Sequence, residues 1–105
     1  MTNAKTEFLA TIEKLPRLKC AVIRDYDASW RDEHGKEIFL KEGFSENDFE
    51  GFLDAIDFHY HSGFGGQELF GFIWFEDGTW AERGEYDGSE WWEYKSQPEI
   101  PNGCK

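Results

Sequence analysis

Cysteine and histidine are scarce in this sequence, with two cysteines and three histidines among 105 residues. Cys20 lies in a β-rich run and Cys104 close to the last residue, so a disulfide would have to hold a terminal segment of the kind that commonly frays. Zinc needs about four ligands in a tetrahedral array, and the sequence has no CxxC or HxxxH spacing. We therefore expect no disulfide, no metal and no cofactor.

Long apolar runs are also missing. No stretch approaches the roughly 20 apolar residues that a membrane-spanning helix needs, and residues 1–15 lack the basic start and apolar core of a signal peptide. At 105 residues the chain has room for one core. We expect a single domain covering residues 1–105, located in the cytoplasm and not in contact with a membrane.

Basic residues are nearly absent from one half of the chain. Residues 42–93 hold fourteen Asp and Glu but only one basic residue, Arg83, and the net charge of the whole chain is -11. Direct nucleic-acid binding requires a basic groove along the phosphate backbone, which this composition excludes. A strongly anionic surface instead favours encounter with a basic partner.

Aromatic residues, in contrast, make up 18% of the sequence and supply enough apolar surface for a folded core. Apolar residues at helical spacing before Pro16 predict an amphipathic helix over 4–15. Residues 18–26 and 37–41 are β-rich and predict a two-stranded hairpin. Ser45 and Asp48 form a capping-box pattern that predicts the start of a second helix, with Phe44 packed on Phe49.

Two Asp-Gly dipeptides, at 77–78 and 87–88, separate three strand-like runs between residues 68 and 95. Two-residue type I′ turns at both sites predict an antiparallel three-stranded meander with fixed register. That register places Trp74 beside Ala81 and Phe72 beside Arg83, stacks Trp92 on Arg83, and sets Trp91 over Gly84. The expected fold is α+β: an antiparallel sheet with a C-terminal three-stranded meander and two helices packed on one face.

Two sets of acidic side chains are the candidate partner-binding residues. The first follows the exposed side of the second helix and the second lies in opposed cross-strand pairs of the meander, with two tryptophans as apolar anchors. The helix set is Glu46, Glu50, Asp54 and Asp57, and the meander set is Glu82, Glu85, Glu90 and Glu93. The two tryptophans are Trp80 and Trp91. Like charges facing each other cost stability unless water, a proton or a ligand relieves them.

An alternative use of the same residues is carbohydrate chemistry. Tryptophan rings stack on sugar faces, and paired carboxylates can act as proton donor and nucleophile or base. The short chain argues against that alternative, and no nucleophile or metal motif supports catalysis. We therefore expect a non-enzymatic binding protein. The second hypothesis is a carbohydrate-binding or glycoside-processing domain.

Residues 70–101 contain DGTW, RGEYDG and SEWWE, and this segment resembles small proteins encoded by bacteriophages and prophages. Small acidic phage proteins include inhibitors of host defence, such as anti-CRISPR and anti-restriction proteins. The resemblance implies an inhibitor whose carboxylates occupy a basic nucleic-acid-binding surface of a host protein. The bacterial cytoplasm would then be the site of action.

Overall fold

The computed structural model describes residues 2–25, 36–60, 69–86 and 89–104. Within these ranges the chain forms helices and short strands in alternation, followed by a three-stranded meander and a final 3₁₀ turn. In chain order the elements are β1 (Thr2–Asn3), α1 (Ala4–Ile12), β2 (Leu18–Asp25), β3 (Lys36–Leu40), α2 (Glu46–Ala55), β4 (His59–Tyr60), β5 (Leu69–Phe75), β6 (Trp80–Tyr86), β7 (Ser89–Lys95) and the 3₁₀ turn Asn102–Cys104.

Five strands form one antiparallel sheet in the order β3-β2-β5-β6-β7, which confirms the expected α+β fold. β5 is the central strand and pairs with β2, so the predicted hairpin of β2 and β3 and the meander form one continuous sheet. β1 and β4 pair separately and bring the start of α1 to the end of α2, where the Ala4 amide donates to the Phe58 carbonyl over 2.9 Å.

Both helices pack on one face of the five-stranded sheet. Strand alternation turns every second side chain of β2, β3 and β5 toward them, and the edge-to-face contact of Phe8 with Phe52, at 5.3 Å between ring centroids, joins the helices. The buried core residues are Ala4, Phe8, Ala21, Ile23, Ile38, Leu40, Phe52, Ile56, Tyr60, Leu69, Ile73, Phe75 and Ala81.

Helix α1 is shorter than the sequence predicted. It ends at Ile12 instead of residue 15, and a turn closed by the Leu15 amide on the Ile12 carbonyl leads to Pro16. The apolar spacing in the sequence extends to Leu15 because that side chain packs against the core, although Leu15 lies after the end of the helix. The cap at the start, where the Asn3 side chain accepts from the Thr6 amide at 2.9 Å, was not predicted.

Helix α2 begins as predicted. Ser45 Oγ accepts from the Asp48 amide at 3.1 Å, and Asp48 Oδ2 accepts from the Ser45 amide at 2.9 Å, so the capping box is complete. The bonds to Ser45 hold the pKa of the Asp48 carboxyl below its ordinary value. Phe44 stacks on Phe49 with 5.8 Å between ring centroids, which confirms the predicted hydrophobic staple.

Replacing Ser45 with alanine is expected to lower the free energy of unfolding by about 1 kcal/mol, because the Asp48 amide loses its acceptor. Urea denaturation followed by circular dichroism would measure the change. Ser96→Ala, at an exposed position after β7, is the matched control and should leave the unfolding midpoint unchanged. An equal effect of both substitutions would contradict a capping role.

The meander forms, but one of its two registers differs from the prediction by one residue. β6 and β7 pair as predicted, with Tyr86 opposite Ser89 and Gly84 opposite Trp91. β5 and β6 pair with Trp74 opposite Trp80, because the connection has three residues instead of two. The Phe75 amide donates to the Thr79 carbonyl at 3.0 Å, and Gly78 alone takes the positive φ, +87°, that ends such a loop.

This shift changes which side chains share a face, since a slip of one residue turns a whole strand over. Ala81 lies beside Ile73 on the helix-covered face, not beside Trp74, and Phe72 lies beside Glu82, not beside Arg83. The helices therefore cover Ile73 and Ala81 while Phe72 and Trp74 point away from them. The second predicted Asp-Gly turn, at 87–88, lies outside the described residues.

Candidate functional site

An acidic strip consists of Glu46, Glu50 and Asp54 along the exposed side of α2 and of Asp57 just after the helix ends. All four residues are exposed, while Phe52 on the opposite side of the helix is buried in the core. The Asn3 side chain donates to Asp57 over 3.0 Å and holds the last carboxylate of the strip in place. The structure therefore leaves all four predicted residues of the first set exposed, three of them on α2 and the fourth just beyond its end.

Among the described residues, no Lys or Arg side chain forms an ion pair with a member of the acidic strip. In the described part of the chain, the ion pairs are Lys19 with Glu42, Arg24 with Glu37, Arg83 with Glu7 and Glu90, and Lys95 with Glu82. None of these pairs includes a member of the strip. Its negative charge is therefore presented to solvent and to any partner.

The four glutamates of the meander do not form a comparable surface. The predicted opposed pairs are present, Glu82 with Glu93 and Glu85 with Glu90, but Lys95 pairs with Glu82. Glu90 is buried, with 7% of its surface exposed, and cannot contact a partner as predicted. Glu85 and Glu93 are exposed but point to opposite faces of the sheet, because their positions along β6 and β7 differ in parity.

Glu90 is buried because it belongs to a polar cluster around Arg83, whose side chain is 1% exposed. Arg83 donates from Nη1 to Glu7 over 2.7 Å, and from Nη2 to Tyr60 Oη over 2.8 Å and to Glu90 over 3.2 Å. Tyr60 donates its hydroxyl to Glu7 over 2.5 Å. Burial, with a further contribution from the bond to Glu7, raises the pKa of the Tyr60 phenol well above its ordinary value.

The guanidinium of Arg83 also lies between two aromatic rings, 5.1 Å from the centre of Trp92 and 5.5 Å from that of Tyr60. The contact with Trp92 was predicted; the bonds to α1 and to Glu90 were not. The sequence signal for this cluster was that Arg83 is a single cation in an acidic half of the chain. Its partner Glu7 is 76 residues away in the sequence, and no local pattern identifies it. This cluster joins α1 to the sheet.

The second face of the sheet, which we call the open sheet face, carries aromatic side chains and has no helix packed on it within the described ranges. Trp91 lies here, 39% exposed, over Gly84, where an added Cβ would come within 2.7 Å of the indole ring. Trp80 is half-buried opposite Trp74. Both predicted anchors are thus on the sheet face opposite the helix layer, away from the acidic strip.

Neither a metal site nor a membrane segment is found among the residues described. No group of three or more His, Cys, Asp and Glu side chains in those ranges is placed to hold a metal ion. Cys20 and Cys104 are free thiols. None of the helices in the described ranges is both long enough and apolar enough to cross a bilayer.

No family model matches the sequence, and comparisons with curated proteins and with solved structures found no significant match. The resemblance to phage-encoded proteins therefore stays a prediction. The acidic strip and the open sheet face are the features on which a functional proposal can be built.

Proposed function

We propose that the protein is a non-enzymatic inhibitor that binds a basic, nucleic-acid-binding surface of a bacterial defence protein through the acidic strip of α2. The observation that carries the proposal is that four exposed carboxylates, three on α2 and one just after its end, have no cationic partner among the described residues. Encounter with a cationic surface is the interaction that such a strip accelerates and orients.

The strip presents its charges in a row, as a nucleic-acid backbone does. Glu46 and Asp54 are eight residues apart within α2, which corresponds to about 12 Å along the helix axis, and Asp57 follows just after the helix. Three charges over this length give one carboxylate per about 6 Å, compared with one phosphate per about 3.4 Å of axis along a DNA strand. The row is therefore sparser than a phosphate backbone and can meet only some of the basic side chains that such a surface provides.

Local stability accounts for Glu46, at the start of α2, but not for the later members of the strip. Acidic side chains are favourable at the positive start of a helix and unfavourable near its negative end. Asp54 lies in the last turn of α2, where there is no basic residue to offset it. A sequence selected only for helix stability would place Lys or Arg there, so the acidic choice supports a role in binding.

The carbohydrate alternative is less well supported. Glu82, Glu93, Trp80 and Trp91 do share the open sheet face, as a saccharide site would require. However, Lys95 pairs with Glu82, so the two carboxylates are not equivalent free groups facing a sugar. We therefore retain carbohydrate binding only as a possible outcome of the tests below.

The proposal is tested by expressing the chain in bacteria that carry a restriction enzyme or a CRISPR nuclease and infecting them with a targeted phage. The wild-type chain is expected to raise the efficiency of plating against the sensitive defence system. Glu50→Lys combined with Asp54→Lys should return plating to the restricted level, because both substitutions reverse charge within the strip and neither side chain forms an ion pair with a described residue.

The matched control is Glu13→Lys combined with Glu99→Lys, which changes the net charge equally at exposed positions outside the strip. This variant should protect the phage as well as the wild type does. Equal loss of protection in both variants would attribute the effect to net charge, and no protection against any system would contradict the proposed function.

A further inference from the structure

The open sheet face holds five of the eight large, exposed hydrophobic side chains in the described part of the chain, namely Phe39, Phe72, Trp74, Tyr86 and Trp91. Phe39, Phe72, Trp74 and Trp91 are 59%, 41%, 39% and 39% exposed. Phe72 and Trp74 belong to the central strand and stack at 5.6 Å between ring centroids. Contiguous apolar surface of this kind on a soluble domain is typical of an interaction site.

Four of the charged side chains at this face form two ion pairs, one on each side of the aromatic centre. On the side of β2 and β3, Arg24 contacts Glu37 at 2.5 Å. On the side of β6 and β7, Lys95 pairs with Glu82, and Glu93 adds one exposed carboxylate opposite Glu82. The face is therefore close to neutral on a chain whose net charge is -11.

This charge distribution indicates which kind of molecule can bind the open sheet face. A nucleic acid requires unpaired cations, and Arg24 and Lys95 both already contact carboxylates. A basic protein gains more from the acidic strip on the other side of the molecule. A second copy of this chain is repelled by the acidic surfaces but meets no net repulsion at the open sheet face, where apolar burial drives association.

The face also has the symmetry that self-association requires. A two-fold contact uses the same patch on both subunits, so its apolar centre must meet itself. Phe72 occupies the middle of a row that crosses all five strands, from Phe39 and Val22 on one side to Glu82 and Glu93 on the other. A two-fold axis near Phe72 superposes the aromatic centres of two copies.

The size of the face matches a weak, reversible contact. Five strands about 4.8 Å apart, each about 20 Å long, give roughly 500 Å² per chain. Two such faces bury roughly 1,000 Å², which lies at the lower end of specific interfaces.

We propose that two copies of this chain pack their open sheet faces together and form a homodimer. Packed sheets lie about 10 Å apart, and the helix layers then lie on the two outer surfaces. The two acidic strips are thereby separated by well over the Debye length of about 8 Å at physiological salt. The dimer is bivalent, with one acidic strip available on each side.

Sedimentation equilibrium of the full chain tests this dimer. The wild type is expected to shift from 12.3 kDa toward twice that mass as its concentration rises into the micromolar range. Phe72→Thr combined with Trp74→Thr should stay monomeric, since threonine keeps strand propensity while removing the apolar rings. Added salt should strengthen the dimer by screening like charges, whereas it should weaken binding to a basic partner.

Leu9→Gln combined with Ile100→Thr is the control, because both residues are exposed and apolar but lie outside the face. It should dimerise like the wild type. A wild type that stays monomeric at millimolar concentration would overturn the proposal, as would a dimer that survives Phe72→Thr with Trp74→Thr. Tryptophan quenching by saccharides in a monomeric wild type would assign the face to sugar binding instead.

A second measurement needs no variant. Cys20 lies on the open sheet face opposite Trp74, and Cys104 is exposed in the final turn. Burial, followed by the nearby Glu42, raises the pKa of the Cys20 thiol, so Cys20 should react more slowly with a maleimide. Labelling of Cys20 should slow further as the protein is concentrated while that of Cys104 stays constant. Concentration-independent labelling of both thiols would contradict the dimer, whatever the outcome for the acidic strip.

Discussion

Replacing Arg83 with methionine is expected to lower the free energy of unfolding by about 3–5 kcal/mol, the range found when one partner of a buried ion pair is removed. Methionine fills much of the same volume but removes the bonds that Arg83 makes to Glu7, Glu90 and Tyr60. Glu90 cannot turn to water, because its side chain is fully buried. Urea denaturation monitored by tryptophan fluorescence would measure the loss.

Arg24→Met provides the control for this prediction. Arg24 also pairs with a glutamate, Glu37, but both side chains are substantially exposed. Exposed ion pairs contribute about 0–1 kcal/mol, so this substitution should change stability little. If the two methionine variants unfolded at the same urea concentration, the cluster around Arg83 would not be the structural anchor that its burial indicates.

Gly71→Ala is expected to destabilise the protein by about 3 kcal/mol, at the upper end of the usual cost of overpacking a core. A Cβ at this position would lie 2.4 Å from the Val22 carbonyl oxygen and 3.2 Å from Ile23 Cα. Both are backbone atoms of the neighbouring strand β2, so neither can move without distorting the centre of the sheet. Thermal or urea unfolding followed by circular dichroism would record the effect.

The same substitution at Gly51 should have the opposite effect on stability. Gly51 lies in α2, and a Cβ there meets nothing within 4 Å. Alanine is favoured over glycine in a helix by about 0.8–1.0 kcal/mol, so Gly51→Ala should stabilise the protein. A destabilising Gly51→Ala, or a neutral Gly71→Ala, would contradict the packing described here.

Features controlled by neighbouring residues were predictable from the sequence. The Ser45 and Asp48 cap, the Phe44 staple and the register of β6 with β7 depend on residues only a few positions apart. The connection around Gly78 shows the limit of this approach. Asp-Gly is compatible with a two-residue turn and also with the end of a three-residue loop, and the choice between them reverses the faces of the central strand.

Features that depend on distant residues were not predictable. By contrast, helix periodicity alone places Glu46, Glu50 and Asp54 on one side of α2, so most of the acidic strip was predictable. The burial of Glu90 could not be predicted, since it requires β6 and β7 to pack beneath α1 and bring Glu7 next to Arg83. The open sheet face was missed for a similar reason: its aromatic row crosses five strands whose order follows from tertiary pairing.

The central claim, that the acidic strip of α2 is the partner-binding surface, is tested most directly by displacement of labelled DNA. Fluorescence anisotropy would follow a labelled duplex bound to the purified nuclease of the sensitive defence system as the chain is added. We expect the wild type and the Glu13→Lys, Glu99→Lys control to displace the duplex. Glu50→Lys with Asp54→Lys should need at least about tenfold more protein, a difference of about 1.4 kcal/mol. Equal displacement by all three chains, or by none, would contradict the claim.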